Sequence, residues 1–568
     1  MTFQTLHDRL SEKVIRQREE WKKFQHFDAE SSDILHATQD ADTTRLYHAV
    51  HYNPSLEEKT LALNAEFSKL VESMRTEYQS RYEPFELWKF STDRFIPEKR
   101  FPSPGITLIP KIFHKGRIIH PMTTDTYAHS SGFNPDLFVT EPLDFGYPVD
   151  PLILKIVQLQ FPHYEQHILK YCRPSGTTDS TFTDFNKEQK PCIPLDPVRK
   201  EQVMTHVFRL LDATPYLPLH FVDTRFCGFP LSTGTGYHNR FSYKRTAHAK
   251  YSHPQQYATK TTSKGYFYNA TYEYSRNIIH RIKESGFPFS HDHETDFQFH
   301  LNSFFDSFPT ILFTRNHISD REGNLKVRPV YAADELFLFI EAMLTFPLLV
   351  QARKPSCCIL YGLETIRGSN IFLDSLAQSY KSFFTIDWSG YDQRLPHIIT
   401  DLYFTDFLRK LIVISHGYQP TYEYPTYPDL TTDILYKKID HLLYFLNLWY
   451  NNMTFITSDG FGYRRNHAGV ASGIYNTQYI DSFGNIYLLI DGMIEFGFSE
   501  SEIKLMLLFV LGDDNSAMTL LPLNVIDRFI HFLEAYALER YHMVLSKIKS
   551  VITSIRGKLE TLSYACNY

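Results

Sequence analysis

From Lys504 to Met518 the chain reads KLMLLFVLGDDNSAM, an apolar run that meets Gly512-Asp513-Asp514 and then turns apolar again. This pattern predicts a strand, a tight turn and a second strand, with Gly512 taking the special backbone angles of the turn. Two adjacent carboxylates on such a turn repel each other unless a cation neutralises them. Taken alone, Gly-Asp-Asp is weak: a chain of 568 residues shows one by accident about one time in ten, usually as an ordinary hairpin.

A second acidic turn strengthens the case. In Ser382 to Pro396 (SFFTIDWSGYDQRLP) a β-prone run delivers Asp387 at its end, Gly390 breaks the run, and Asp392 follows five residues after Asp387. A carboxylate at a strand end is fixed by the backbone while its tip faces a cleft, which suits a hard cation. Nucleotidyl transfer uses two Mg²⁺ about 4 Å apart and needs carboxylates from neighbouring strands. Between the two turns lies Gly469 to Asn485 (GVASGIYNTQYIDSFGN). Ser472 and Gly473 read as a loop, and the rest reads as a helix. Thr477, Asp481 and Asn485 are spaced by four and project from nearly one face, as a sugar-binding stripe or a solvated helix surface.

Cations complete the set. Arg315 and the run Lys326-Val327-Arg328 supply fixed positive charge; on an extended strand Lys326 and Arg328 point the same way, as a triphosphate clamp requires. From Tyr237 to Lys283 there are nine basic residues against one acid, Glu273, with tyrosines and phenylalanines threaded between them. Charge that tracks phosphates, interleaved with rings that stack on bases, is the composition of a single-strand nucleic-acid groove. Its candidate contacts are Lys244, Arg245, Lys250, Lys260 and Lys264; the rival reading is a solvated basic face over core aromatics. The preceding Leu231 to Tyr237 (LSTGTGY) is a loop that allows close backbone approach. The whole chain has a net charge of -6, which argues against a binder coated in positive charge but leaves room for a basic channel.

Other signals are negative. Six cysteines without a CxxC pair argue against a zinc ribbon or a disulfide framework. No phosphate-cradling Gly-x4-Gly-Lys loop occurs, so helicase or NTPase chemistry is not indicated. Met1 to Asp28 is too charged for a secretory signal and reads as a surface helix. Leu336 to Val350, interrupted by Glu341, is too short to span a bilayer. The expectation is a soluble, intracellular protein with reduced thiols. His291, His293 and His300 are expected to be satisfied histidines rather than metal ligands. Asn269 and Asn452 match the glycosylation acceptor pattern but should stay unmodified.

In order, the pieces run basic clamp, Asp-x4-Asp, Ser-Gly-x3-Thr, Gly-Asp-Asp, then a Lys-bearing segment. This order resembles the signature blocks of viral RNA-dependent RNA polymerases, in wording close to the partitiviruses, double-stranded RNA viruses with small segmented genomes. The resemblance rests on TRNHISDREGNLKVRPVY from Thr314, DWSGYDQR from Asp387, GVASGIYNTQYIDSFGN from Gly469, LGDDNS from Leu511, LSKIKS with LSYACNY near the end, and TSKGYFYNATYE from Thr262. It covers roughly Leu231 to Tyr568.

The resemblance implies an α+β right-hand polymerase fold whose antiparallel palm sheet is flanked by helices. The N-terminal extension and fingers would take residues 1–230, fingers with template groove and clamp 231–381, palm 382–410, a fingers insertion 411–465, and palm again 466–568. Only 54 residues follow Asp514, so the thumb is expected to be absent or truncated. Asp387, Asp513 and Asp514 match the metal ligands for two Mg²⁺, with Mn²⁺ as an alternative. Asp392 matches the sensor of the ribose 2′-OH, and Ser472, Gly473 and Thr477 match the loop and helix that hold template and nucleotide. Where many positive-strand RNA virus polymerases carry Asn four residues after the Thr, this chain has Asp481, so either Asp481 or Asn485 stands as the sugar contact. Lys549, with Lys547 as rival, matches the general acid for departing pyrophosphate. Implied partners are RNA, NTPs and a viral capsid protein, with no membrane, in the virion interior or host cytoplasm. Rival functions are a reverse transcriptase and a non-catalytic genome-organising RNA binder.

Overall fold

The computed structural model describes residues 100–114, 117–119, 150–172, 176–290, 294–320, 327–361, 369–414, 418, 430–558, 560–561 and 564–565. The surface helix expected within Met1 to Asp28 lies outside the described residues, as do Lys326, His291 and His293.

Two sheets share one apolar core. The larger comprises β1 (Ile106–His114), β2 (Arg117–Ile119), β3 (Thr310–Asn316), β4 (Val327–Ala332), β6 (Phe455–Ile456) and β7 (Phe461–Arg465), in the order β2-β1-β7-β6-β3-β4. Its ladders are antiparallel except β3 with β6. The smaller sheet is antiparallel throughout: β5 (Ser382–Thr385), β8 (Leu507–Leu511), β9 (Asp514–Thr519) and β10 (Val551–Thr553), in the order β8-β9-β5-β10. A continuous buried cluster runs from Ile106 through Phe337 to Leu545. Each fully buried Leu or Phe in it contributes about 1.5–3 kcal/mol of transfer free energy.

The helices reflect their sequence patterns. The greasy run expected to be too short for a membrane becomes α4 (Glu335–Gln351), capped by Asp334 Oδ1, which accepts from Leu336 N at 3.0 Å. Leu336 to Phe346 is buried throughout, and Phe337 stacks on Trp449 of α5 (Thr432–Asn451) with ring centroids 4.1 Å apart. No helix among the described residues is long and apolar enough to cross a membrane. Beneath the small sheet lies α6 (Thr477–Phe496), buried on all sides from Tyr479 to Met493. It packs against α1 (Pro197–Leu211), β8 and α7 (Leu523–Tyr541), while α7 also supports β5 and β10. Buried on all sides although it carries Asp481, Asn485 and Asp491, α6 is a platform for the turns above it. Upstream, α2 (Tyr243–Ser252) and α3 (Lys264–Ser285) carry the basic segment and pack on each other; α3 also packs on α4 and α5.

Candidate active site

The Gly-Asp-Asp stretch forms the hairpin its pattern predicts. β8 and β9 pair down to Leu511 opposite Asp514, and Gly512 turns the chain with φ +67°. Its N–H donates to Ser482 Oγ of α6 at 2.9 Å. On the other side of β9, strand β5 runs antiparallel, with Ala517 opposite Phe384. The backbone ladder stops there, and the Asn515 side chain continues it. Its Oδ1 accepts from Ile386 N at 2.9 Å and its Nδ2 donates to Ile386 O at 2.9 Å. Asp387 therefore emerges beside Asp514 from adjacent strands. A turn at Ser546–Ser550 brackets Asp387: its carbonyl accepts from Ser546 N at 2.7 Å and its N–H donates to Ser550 Oγ at 3.1 Å.

Five carboxylates gather here and act on one another. Asp513 is exposed at the turn, yet loss of hydration on its protein-facing side, followed by repulsion from Asp392 and Asp514, pushes its carboxyl up to about 7. Burial, then Asp387, raises Asp514. Burial, then Asp392 and Asp513, raises Asp481 well above the usual carboxylate range. Arg328 pulls Asp513 and Asp514 the other way. Asp481 is buried, and its Oδ1 has no hydrogen-bond partner. Like charges crowded together with unused acceptor oxygens are the donor chemistry of a divalent cation site. Among the described residues, no three carboxylate, histidine or cysteine side chains form a ready-made cage. Mg²⁺ is commonly held by one or two carboxylates, waters and substrate phosphates, and Asp387, Asp513 and Asp514 fit that use.

The remaining candidates divide. Ser472 Oγ donates to Asp392 Oδ2, joining the loop before α6 to the first acidic block. Gly473 has φ +119°, and an added Cβ would sit 2.5 Å from Tyr331 O of β4, so only glycine fits there. Arg315 and Arg328 are exposed and face each other across the β3–β4 ladder. Lys549 is exposed on the turn that brackets Asp387, whereas Lys547 Nζ is bonded to His531 Nε2 of α7. Lys244, Lys250 and Lys260 are exposed.

Four expectations change. Arg245, 3% exposed, bonds Asn239 Oδ1, and Lys264, 8% exposed, donates to Thr233 Oγ1 at 3.0 Å and Gly234 O at 2.8 Å. Lys264 braces the LSTGTGY loop from within, and Arg245 does so through Asn239, whose Nδ2 donates to Thr235 Oγ1, instead of facing RNA; Asp334 and Glu335 act on both cations. Thr477 does not point along the helix face: its hydroxyl donates to Ala471 O and Ile474 O and accepts from Gly473 N, closing the loop on itself. Asn485 is fully buried, and its amide is spent on Trp388 Nε1 and the carbonyls of the Gly-Asp-Asp turn. Of the two sugar candidates, Asp481 alone keeps an open oxygen.

Two residues of consequence were not singled out for the site. Glu341, noted only as an interruption in a greasy run, accepts hydrogen bonds from Tyr450 OH, Tyr475 N and Asn476 N, and so anchors the entry to α6. Asn515, directly after the acidic pair, carried no periodic signal. Asn269, a glycosylation match, is buried with its Nδ2 bonded to Ser252 O at 2.5 Å.

An acidic hairpin abutting a second strand-end carboxylate, with Arg328 acting on the pair, is a donor set that suits divalent-cation chemistry such as nucleotidyl transfer. Comparison with known proteins narrows this further. Over 519 residues, 86% of this chain and 74% of the relative, it is 39% identical to the RNA-directed RNA polymerase of Atkinsonella hypoxylon virus (isolate 2H). Over 315 residues, 53% of this chain and 48% of the relative, it is 29% identical to the RNA-directed RNA polymerase of White clover cryptic virus 1 (isolate Boccardo/2004). No family model matches the chain. The chain belongs to the viral RNA-directed RNA polymerases.

Proposed function

We propose that this polymerase replicates and transcribes a double-stranded RNA virus genome by divalent-metal-assisted nucleotidyl transfer, extending an RNA 3′-end on an RNA template. One observation carries the reading: Asp387 at the end of β5 and Asp513–Asp514 at the β8–β9 turn stand on neighbouring strands, with Arg328 acting on the pair. Two bound divalent ions, Mg²⁺ or Mn²⁺, supply a lowered pKa for the attacking 3′-OH and counter-charge for the triphosphate.

The chain's own groups have separable tasks in this reading. Asp387, Asp513 and Asp514 hold the ions. Arg315 and Arg328, with Lys326, offset the triphosphate. Ser472 orients the Asp392 carboxylate toward the ribose, and Asp481 shares that duty. Lys549 hands a proton to departing pyrophosphate. Lys244, Lys250 and Lys260 track the RNA backbone. The small sheet with α6 and α7 is the palm of a right hand, and the larger sheet with its helices forms fingers. The setting that goes with this reading is a virion interior or host cytoplasm, beside a capsid protein.

The test is RNA synthesis on a short template with Mg²⁺, offering NTPs or dNTPs to wild type and Asp513→Ala. Positioning and charge supply most of the acceleration, so Asp513→Ala should keep its melting temperature within about 3 °C and lose incorporation. Full activity in the variant removes the metal assignment. A preference for dNTPs overturns RNA synthesis.

A further inference from the structure

The side chain of Asn485 touches both acidic blocks. Its Oδ1 accepts from Trp388 Nε1 at 3.1 Å, directly after Asp387. Its Nδ2 donates to Asp513 O at 2.8 Å and Gly512 O at 3.0 Å, with Asp514 O at 3.4 Å. The orientation of the amide is forced: an indole N–H only donates and a carbonyl only accepts, so oxygen must face Trp388 and nitrogen the turn. Asn515 ties the same two segments from the strand side through Ile386, and its Nδ2 also approaches Asn485 Oδ1 at 3.4 Å. Asn485 itself is fully buried in the middle of α6.

We propose that Asn485 is a positioning residue that sets the separation between Asp387 and the Asp513–Asp514 pair, and with it the affinity of the site for divalent metal. This rests on the metal role assigned above to those carboxylates. The physical reason is that the turn carries mutually repelling carboxylates at its apex and would open under that repulsion. Clamping its carbonyls to a buried helix holds it before any ion or substrate arrives. Partners one step removed from a metal commonly cost about tenfold to a hundredfold in metal affinity or activity when removed.

The experiment titrates Mn²⁺ alone into the free protein, read by the loss of the free-ion electron paramagnetic resonance signal, for wild type, Asn485→Ser, Trp388→Phe and Asp387→Asn. Asn485→Ser should raise the Mn²⁺ midpoint about tenfold or more and lower kcat similarly, while KM for NTP changes less than about threefold. Trp388→Phe keeps an aromatic side chain while removing the indole N–H together with the rest of its five-membered ring, so it breaks the same hydrogen bond from the other partner and guards against an Asn485 variant that fails to fold; its midpoint should shift the same way. If Asp387→Asn weakens Mn²⁺ but both other variants bind it as wild type does, the positioning role is overturned. If Asp387→Asn itself leaves Mn²⁺ binding unchanged, the underlying metal reading fails instead.

Discussion

Arg315 and Arg328 occupy one register position on adjacent antiparallel strands, so their side chains leave the same face of β3 and β4. Like charges directly opposite each other cost stability, about 0.2–1 kcal/mol. An anion between them would reverse the sign; Arg328 also acts on Asp513 and Asp514, so in the proposed function that anion is the NTP triphosphate.

Arg328→Ala should therefore separate stability from function. The unfolding midpoint in urea is expected to stay level or rise slightly, because a repulsion is relieved. Steady-state incorporation should lose about tenfold to a hundredfold in kcat/KM for NTP, the scale of one charge-assisted bidentate contact. An unchanged kcat/KM would remove the clamp.

Gly473→Ala tests the loop that carries Ser472. With φ at +119° and Tyr331 O only 2.5 Å from where a Cβ would stand, strain of about 1–3 kcal/mol is expected. The loop can relieve it only by moving away from β4, which withdraws the Ser472 hydroxyl from Asp392. Equilibrium denaturation should register the cost, and discrimination between NTP and 2′-deoxy-NTP should fall. Wild-type stability with wild-type selectivity would mean that the loop tolerates the shift.

Glu341 gives a pH dependence. Burial at the centre of α4 pushes its carboxyl up to about 7, overcoming the hydrogen bonds from Tyr450, Tyr475 and Asn476 that favour the charged form. The folded protein thus keeps the proton to a higher pH than the unfolded chain, whose carboxyl titrates near 4.5. Stability from this group is full below about 4.5 and declines as pH rises through about 7, by up to about 3 kcal/mol. Glu341→Gln cannot ionise. Its stability relative to wild type should be greater at pH 8 than at pH 5, measured by urea unfolding at both. An equal difference at the two pH values would show that Glu341 is already charged at pH 5.

The two lysines after the catalytic hairpin should differ. Lys549 stands on the turn bracketing Asp387, whereas Lys547 is engaged with His531. Lys549→Met is expected to slow single-nucleotide incorporation by about a hundredfold to ten-thousandfold, the range of lost general-acid assistance, and Lys547→Met by less than about threefold. The reverse ranking in rapid-quench measurements would exchange their roles.

Local pattern made some of this legible and missed the rest for identifiable reasons. The β8–β9 hairpin and the exit of Asp387 from β5 were readable because an apolar run broken by Gly and acids has few local solutions. The spacing of Thr477, Asp481 and Asn485 was also readable, but not which of the three would open on the cleft. Periodicity places side chains on a helix face; it does not say what covers that face. The basic segment misled at Arg245 and Lys264 for a related reason, since composition counts charges without knowing that Asp334 and Glu335 come to neutralise two of them inside.

Sequence alone determined the candidate acidic residues, their order along the chain and the family to which that order belongs, because turns, strand ends and carboxylate pairs are local properties. Tertiary structure alone decided that five acids crowd one another, that Asn485 and Asn515 hold two distant turns together, and that Glu341 seats the start of α6. Those contacts join segments scores of residues apart, and what selects them is the packing of a shared interior, which no window of sequence contains.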